Sequence, residues 1–234
     1  MTKQTRIKAK SKKSLLLEAL EPRFMMSADI PGIDLLIHAD ETQDLDADSQ
    51  AILENAEIYY QELEWTEATT QELIVIDSNV PDYQLLINDI QSQSDEGTEF
   101  KIVLLSAEED GILQISSVLS NETGLDALHI ISHGDAGEIY IGNSALNLNS
   151  THENAKLIST WSDSFDSSAD ILIYGCDLTS TSDGEQLVDT LAILTETDVA
   201  ASDDVTGHES LGGDWELEYA TGDIETDVIV FLDM

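Results

Sequence analysis

The chain has 234 residues, with 48 acids against nine lysines and arginines and a formal net charge of −39. Beyond residue 23 that balance leaves no basic patch to neutralise phosphates, which argues against nucleic-acid binding and against anionic membrane surfaces. A hydrophobic content of 41% gives enough material for one α/β domain with extensions, and a single cysteine excludes an internal disulfide.

Residues 1–29 form a basic tail and a short linking segment, predicted to be disordered. Seven of the nine cations lie here: Lys3, Arg6, Lys8, Lys10, Lys12, Lys13 and Arg23. The apolar turn Ser14–Leu20 is too short for a Sec signal and carries Glu18. Pro22 keeps its neighbour extended, and proteases bind extended segments, so Arg23 is a candidate processing site. The same segment also reads as a recognition tag or as a strap docked on the domain. Residues 30–70 form an acidic linker with one amphipathic helix over Ala51–Trp65. Beyond Arg23, only Lys101 and Lys156 stand against 46 acids. This acidity favours cations such as calcium. The sequence assigns no metal site and no cofactor.

The domain itself spans residues 71–234. Apolar runs predict strands at Leu73–Asp77, Glu99–Ser106, Asp126–Gly134, Ala169–Asp177 and Asp198–Asp204. Helical patterns fall between them at Pro81–Ile90, Gly111–Ser120, Ser150–Trp161 and Gly184–Leu194. Glu138–Asn147 reads as a β-hairpin turning at Gly142-Asn143. Gly212–Tyr219 alternates like an edge strand, with Trp215, Leu217 and Tyr219 on one face. Strands alternating with helices imply a mostly parallel sheet of five or six strands, flanked by helices.

Two of these strands end in reactive residues. One runs into His133-Gly134 and the other into Gly175-Cys176. Open α/β sheets place chemistry at the carboxyl ends of their strands. Parallel neighbours would bring His133 to the Cys176 sulfur, where an imidazole can take the thiol proton. In that reading the backbone N–H groups of Gly134 and Cys176 hold the oxyanion. Ser132, Asp135, Asp177 and His129 are candidates for a supporting shell; His129 reads equally as a buried structural histidine. Asp203 and Asp204 follow the fifth strand and would favour a basic residue before the cut. The competing reading makes Cys176 a small buried hydrophobe and His133 a polar strand end. A serine or metal hydrolase has little support, since G-x-S-x-G and H-E-x-x-H motifs do not occur.

The His-Gly block followed by a block ending in Cys resembles the caspase-like cysteine peptidases: caspases, gingipains, clostripain, legumain, separase and the CHAT peptidases. The resemblance covers roughly residues 72–205 and implies a caspase-like fold with His133 and Cys176 as the dyad. His129 completes the His-x-x-x-His-Gly form of CHAT-type members. Leu20-Glu-Pro-Arg-Phe-Met-Met-Ser-Ala-Asp29, with the SHG, YGCD and GGDWELEYATG stretches, is similar to the amino-terminal region of large bacterial surface adhesins. There an LEPR-x-L-L segment precedes a domain of unknown function; this chain has Met25-Met26 in place of the two leucines. That resemblance implies export by a non-Sec route to the surface of a Gram-negative bacterium. The expected partner is a polypeptide, either the chain's own amino-terminal segment or a linked adhesin. The alternative is a catalytically silent module serving such an adhesin.

Overall fold

A computed structural model of the protein describes residues 70–93, 97–207 and 212–229. The basic tail, Arg23 and the acidic linker with its helix lie outside these residues. Six strands form one sheet, in the order β2-β1-β3-β7-β8-β9. They are β1 (Thr70–Asp77), β2 (Thr98–Leu105), β3 (Leu125–Ile131), β7 (Phe165–Tyr174), β8 (Asp198–Ala201) and β9 (Tyr219–Ala220). The first five are parallel and β9 is antiparallel to β8. The predicted hairpin is a separate three-stranded antiparallel sheet: β4 (His133–Asp135), β5 (Glu138–Ile141) and β6 (Ser144–Asn147). Its turn places Gly142 at φ 58°, a left-handed conformation that glycine adopts without cost.

Alternation along the strands divides the apolar residues between the two faces of the sheet. Leu73, Val75, Leu128, Ile130, Ile171 and Ile173 belong to one core cluster. Above it pack the helices α2 (Gly111–Leu119), α4 (Ala155–Ser159) and α5 (Ser182–Thr195), with a 3-10 helix at Thr160–Ser164, while the short α3 (Leu148–Glu153) lies against α5. Trp161 is buried there, its indole N–H donating to Ser116 Oγ at 2.7 Å. The opposite face, with Ile74, Ile76, Leu172 and Tyr174, is covered by α1 (Tyr83–Gln93) and by apolar residues of the 215–229 segment. Of the domain's two cations, Lys101 is buried against Glu122 and Lys156 is exposed. The acidic surface foreseen from composition is therefore even more one-sided than the count suggests. Among the described residues, no helix is long and apolar enough to cross a membrane.

Three elements differ from expectation. The first helix starts at Tyr83, because Asp82 takes a left-handed φ of 53° and leaves Pro81 in the preceding turn. The third helix is broken at Asn154, whose amide bonds back to the Ser150 carbonyl. Such local side-chain bonds compete with helix continuation. The last edge strand shrinks to two residues. Trp215 and Leu217 pack on the second face, whereas Tyr219 crosses the sheet edge to the first.

Tyr219 donates a hydrogen bond to Asp189 Oδ1 of α5 at 2.9 Å. Burial, then the Asp189 hydrogen bond and the charges of Asp189 and Glu185, push its phenol up to about 12. A phenol that holds its proton more tightly when folded stabilises fully below the unfolded value of about 10. That stabilisation is lost as pH rises from there through 12. Melting curves of wild type and Tyr219→Phe should therefore differ most below pH 10 and converge towards pH 12. Parallel pH profiles would contradict this.

Candidate active site

The register of β3 against β7 pairs Ile131 with Tyr174, and the Ser132 N–H donates to the Tyr174 carbonyl at 3.2 Å. The ladder stops there: β3 ends at Ile131 rather than running through His133-Gly134, and His133 opens β4 of the second sheet. Gly134 shows how closely the two strand ends approach. A Cβ built on it would lie 2.6 Å from the Cys176 carbonyl oxygen and 2.9 Å from the Cys176 nitrogen. Only glycine lets this backbone pass so near the Gly175-Cys176 peptide.

Cys176 is half-buried, and its thiol donates to the Thr206 carbonyl at 3.6 Å. His133 is exposed on β4. Among the described residues no hydrogen bond joins its imidazole to Cys176. Asp177 adopts a left-handed φ of 57°, uncommon for a residue with a side chain. Its N–H is tied to the Asp204 carbonyl at 2.6 Å. This contact brings the loop after β8 against the residue that follows Cys176. Strained backbone of this kind concentrates at functional sites.

The remaining candidates separate clearly. Asp203 and Asp204 are exposed on that loop, and the Asp203 N–H donates to Glu218 Oε2 at 2.9 Å. Carboxylate oxygens of Asp203, Asp204 and Glu218 lie within 4.8 Å of one another. Desolvation, then the charges of Glu218, Asp214, Asp203 and Asp177, raise the Asp204 carboxyl above its ordinary value. Ser132 is buried, with its hydroxyl on the His133 carbonyl at 3.2 Å. Asp135 is exposed and accepts the Ala136 N–H at 2.8 Å. His129 lies in the core rather than at the site. Its Nδ1 meets Tyr174 Oη at 3.1 Å and its Nε2 meets Glu72 Oε2 at 2.9 Å. Among the described residues no hydrogen bond links Asp177 or His129 to His133.

Four neighbours escaped the sequence reading. Tyr140 is the cross-strand partner of His133, exposed and donating to Glu138 Oε1 at 2.8 Å. Counting across the hairpin would have found it. Thr206, Asp214 and Glu218 arrive by long-range loop closure, for which the sequence carries no local signal. A cavity of about 410 Å³ opens elsewhere, at the amino ends of the strands, lined by Thr70, Thr98, Asp126 and Ser168. It is remote from the carboxyl end that carries Cys176.

The model of one protein family matches residues 73–233. The chain belongs to DUF4347, a family defined as a domain of unknown function. No match was found among curated proteins. The DUF4347 match takes in both strand ends, the β4–β6 sheet and the loop after β8. It thus includes every candidate site residue except Arg23.

Proposed function

We propose that this DUF4347 domain is a caspase-like cysteine endopeptidase cutting after basic residues, carried by a secreted, adhesin-type surface protein. The observation that carries the reading is the meeting of Gly134 with the Gly175-Cys176 peptide at the carboxyl ends of two adjacent parallel strands. That is where an α/β sheet concentrates its chemistry. In the proposed reaction the Cys176 thiol proton passes to His133 and the sulfur bonds to the substrate carbonyl carbon. Backbone N–H groups of Gly134 and Cys176 stabilise the oxyanion. The peptide C–N bond then breaks as His133 protonates the leaving amine. Water next attacks the thioester, with His133 taking its proton, and frees the acid and the thiol.

The acids around the Cys176 strand end supply the specificity. Asp177, Asp203, Asp214 and Glu218 all act electrostatically on Asp204. Such a mouth attracts a cationic side chain and repels an acidic one. Replacing both Asp203 and Asp204 by Asn should lower kcat/KM for an arginyl peptide by roughly 10-fold to 100-fold, with much less effect on a norleucyl analogue. Equal losses on both peptides would remove the assignment. Arg23 then becomes a natural internal substrate.

Intact mass followed over time in purified wild type and Cys176→Ala tests the reading. Loss of an amino-terminal piece from the wild type alone supports self-processing. Stable masses, combined with no hydrolysis of arginyl peptides added in trans, would count against a peptidase. One contact favours the second reading, a catalytically silent module of a surface protein: the thiol is already engaged with the Thr206 carbonyl. A silent module would leave native Cys176 unlabelled by iodoacetamide.

A further inference from the structure

Away from Cys176, the β7–β8 register sets Asp170 directly opposite Asp198. Like charges facing each other across strands repel. Asp170 is 0% exposed. Its Oδ2 is well served, accepting from the Glu225 N–H at 3.0 Å, the Thr226 N–H at 2.9 Å and the Thr226 hydroxyl at 2.8 Å. Its Oδ1 is buried with no hydrogen-bond partner among the described residues. An unserved carboxylate oxygen in the interior is costly unless a counter-charge meets it.

Two more carboxylates converge there. Oxygens of Asp170, Asp198 and Glu225 all lie within 4.8 Å of one another. The chain bends closely round them: a Cβ on Gly222 would sit 2.2 Å from Asp198 Oδ1. Thr221 straps the same turn to β8, its hydroxyl accepting the Val199 N–H at 2.9 Å and its own N–H reaching the Val199 carbonyl at 3.0 Å. An all-oxygen, anionic set of this span suits a hard divalent cation with bonds of about 2.3–2.6 Å, which is calcium rather than the smaller magnesium.

We propose that Asp170, Asp198 and Glu225 bind calcium, and that the ion bolts the 221–229 segment to the sheet. That segment ends with Ile229 buried and its N–H on Tyr174 Oη at 3.0 Å, so the ion would hold down the cover of the second face. The proposal does not depend on the peptidase reading.

Thermal melting of the full chain in EDTA and in about 10 mM calcium, with calorimetric titration, tests it. A site formed only in the folded state should raise Tm by roughly 3–10 °C. Glu225 is exposed and Asp198 half-buried, so Glu225→Gln and Asp198→Asn should fold while weakening calcium binding by about tenfold or more. The double variant Asp203→Asn/Asp204→Asn, at the exposed cluster, should keep the wild-type shift. Equal melting with and without calcium, and no heat of binding, would overturn the proposal. So would a shift that survives in Glu225→Gln and Asp198→Asn but disappears in the exposed-cluster variant.

Discussion

Cys176→Ala and His133→Ala should each lower hydrolysis of an arginyl peptide by about 10³-fold or more, and combining them should cost little beyond the worse single change. Nucleophile and base act as one unit, so removing either ends the covalent route. Neither change should unfold the domain. His133 is exposed and makes no hydrogen bond through its ring among the described residues. Cys176 is half-buried, with one weak contact to the Thr206 carbonyl. Each should shift stability by no more than about 1 kcal/mol. The separation of activity from stability is the diagnostic. A double variant that loses the product of the two single effects would mean the residues act independently, against a dyad.

The second large effect is expected in the core. His129→Ala should destabilise the domain by about 3–5 kcal/mol, a fall in Tm on the order of 10 °C. His129 is wholly buried between Tyr174 and Glu72. Burial holds the Tyr174 phenol far above its ordinary value, so it keeps its proton. It accepts the Ile229 N–H and shares a hydrogen bond with His129 Nδ1, while His129 Nε2 faces Glu72 Oε2. Truncation leaves a carboxylate that is only 6% exposed without its imidazole partner. His129→Leu with Glu72→Leu should recover much of the loss, because an apolar pair of similar volume carries no such penalty. A single-variant loss below about 1 kcal/mol would refute the account. The hydrogen-bonded group also ties the core to the candidate site. It pins β3 four residues before His133 and β7 two residues before Cys176, the two strands that meet at the site.

How far the sequence discloses this arrangement depends on range. The apolar runs ending at Asp77, His133 and Cys176 announce a parallel sheet, since strands buried on both faces must be apolar throughout. Gly142-Asn143 announces the hairpin through turn chemistry. Adjacency of the two strand ends follows from the tendency of successive strands of one parallel sheet to lie side by side. Longer-range facts do not follow. Asp77 looks like a strand-end acid, yet it is buried and accepts the N–H groups of Asn79 and Gly142, fixing the distant hairpin turn. Tyr174 reads as one more apolar residue until His129 and Ile229 reach its hydroxyl. Gly212–Tyr219 alternates correctly, but alternation does not reveal that the chain crosses the sheet edge before Tyr219. Nor does it reveal which acids come together, because 48 of them are spread along the chain. Asp170 and Asp198 become neighbours only through strand register.

The most direct measurement is covalent trapping. Wild type and His133→Ala would be incubated with a peptidyl ketone carrying arginine next to its electrophile, and the adduct mapped by mass spectrometry. The account predicts one adduct, on Cys176, formed rapidly in wild type, suppressed in His133→Ala and slower with a probe carrying aspartate in place of arginine. A native wild-type chain that stays unmodified, while its denatured thiol alkylates freely, would contradict it.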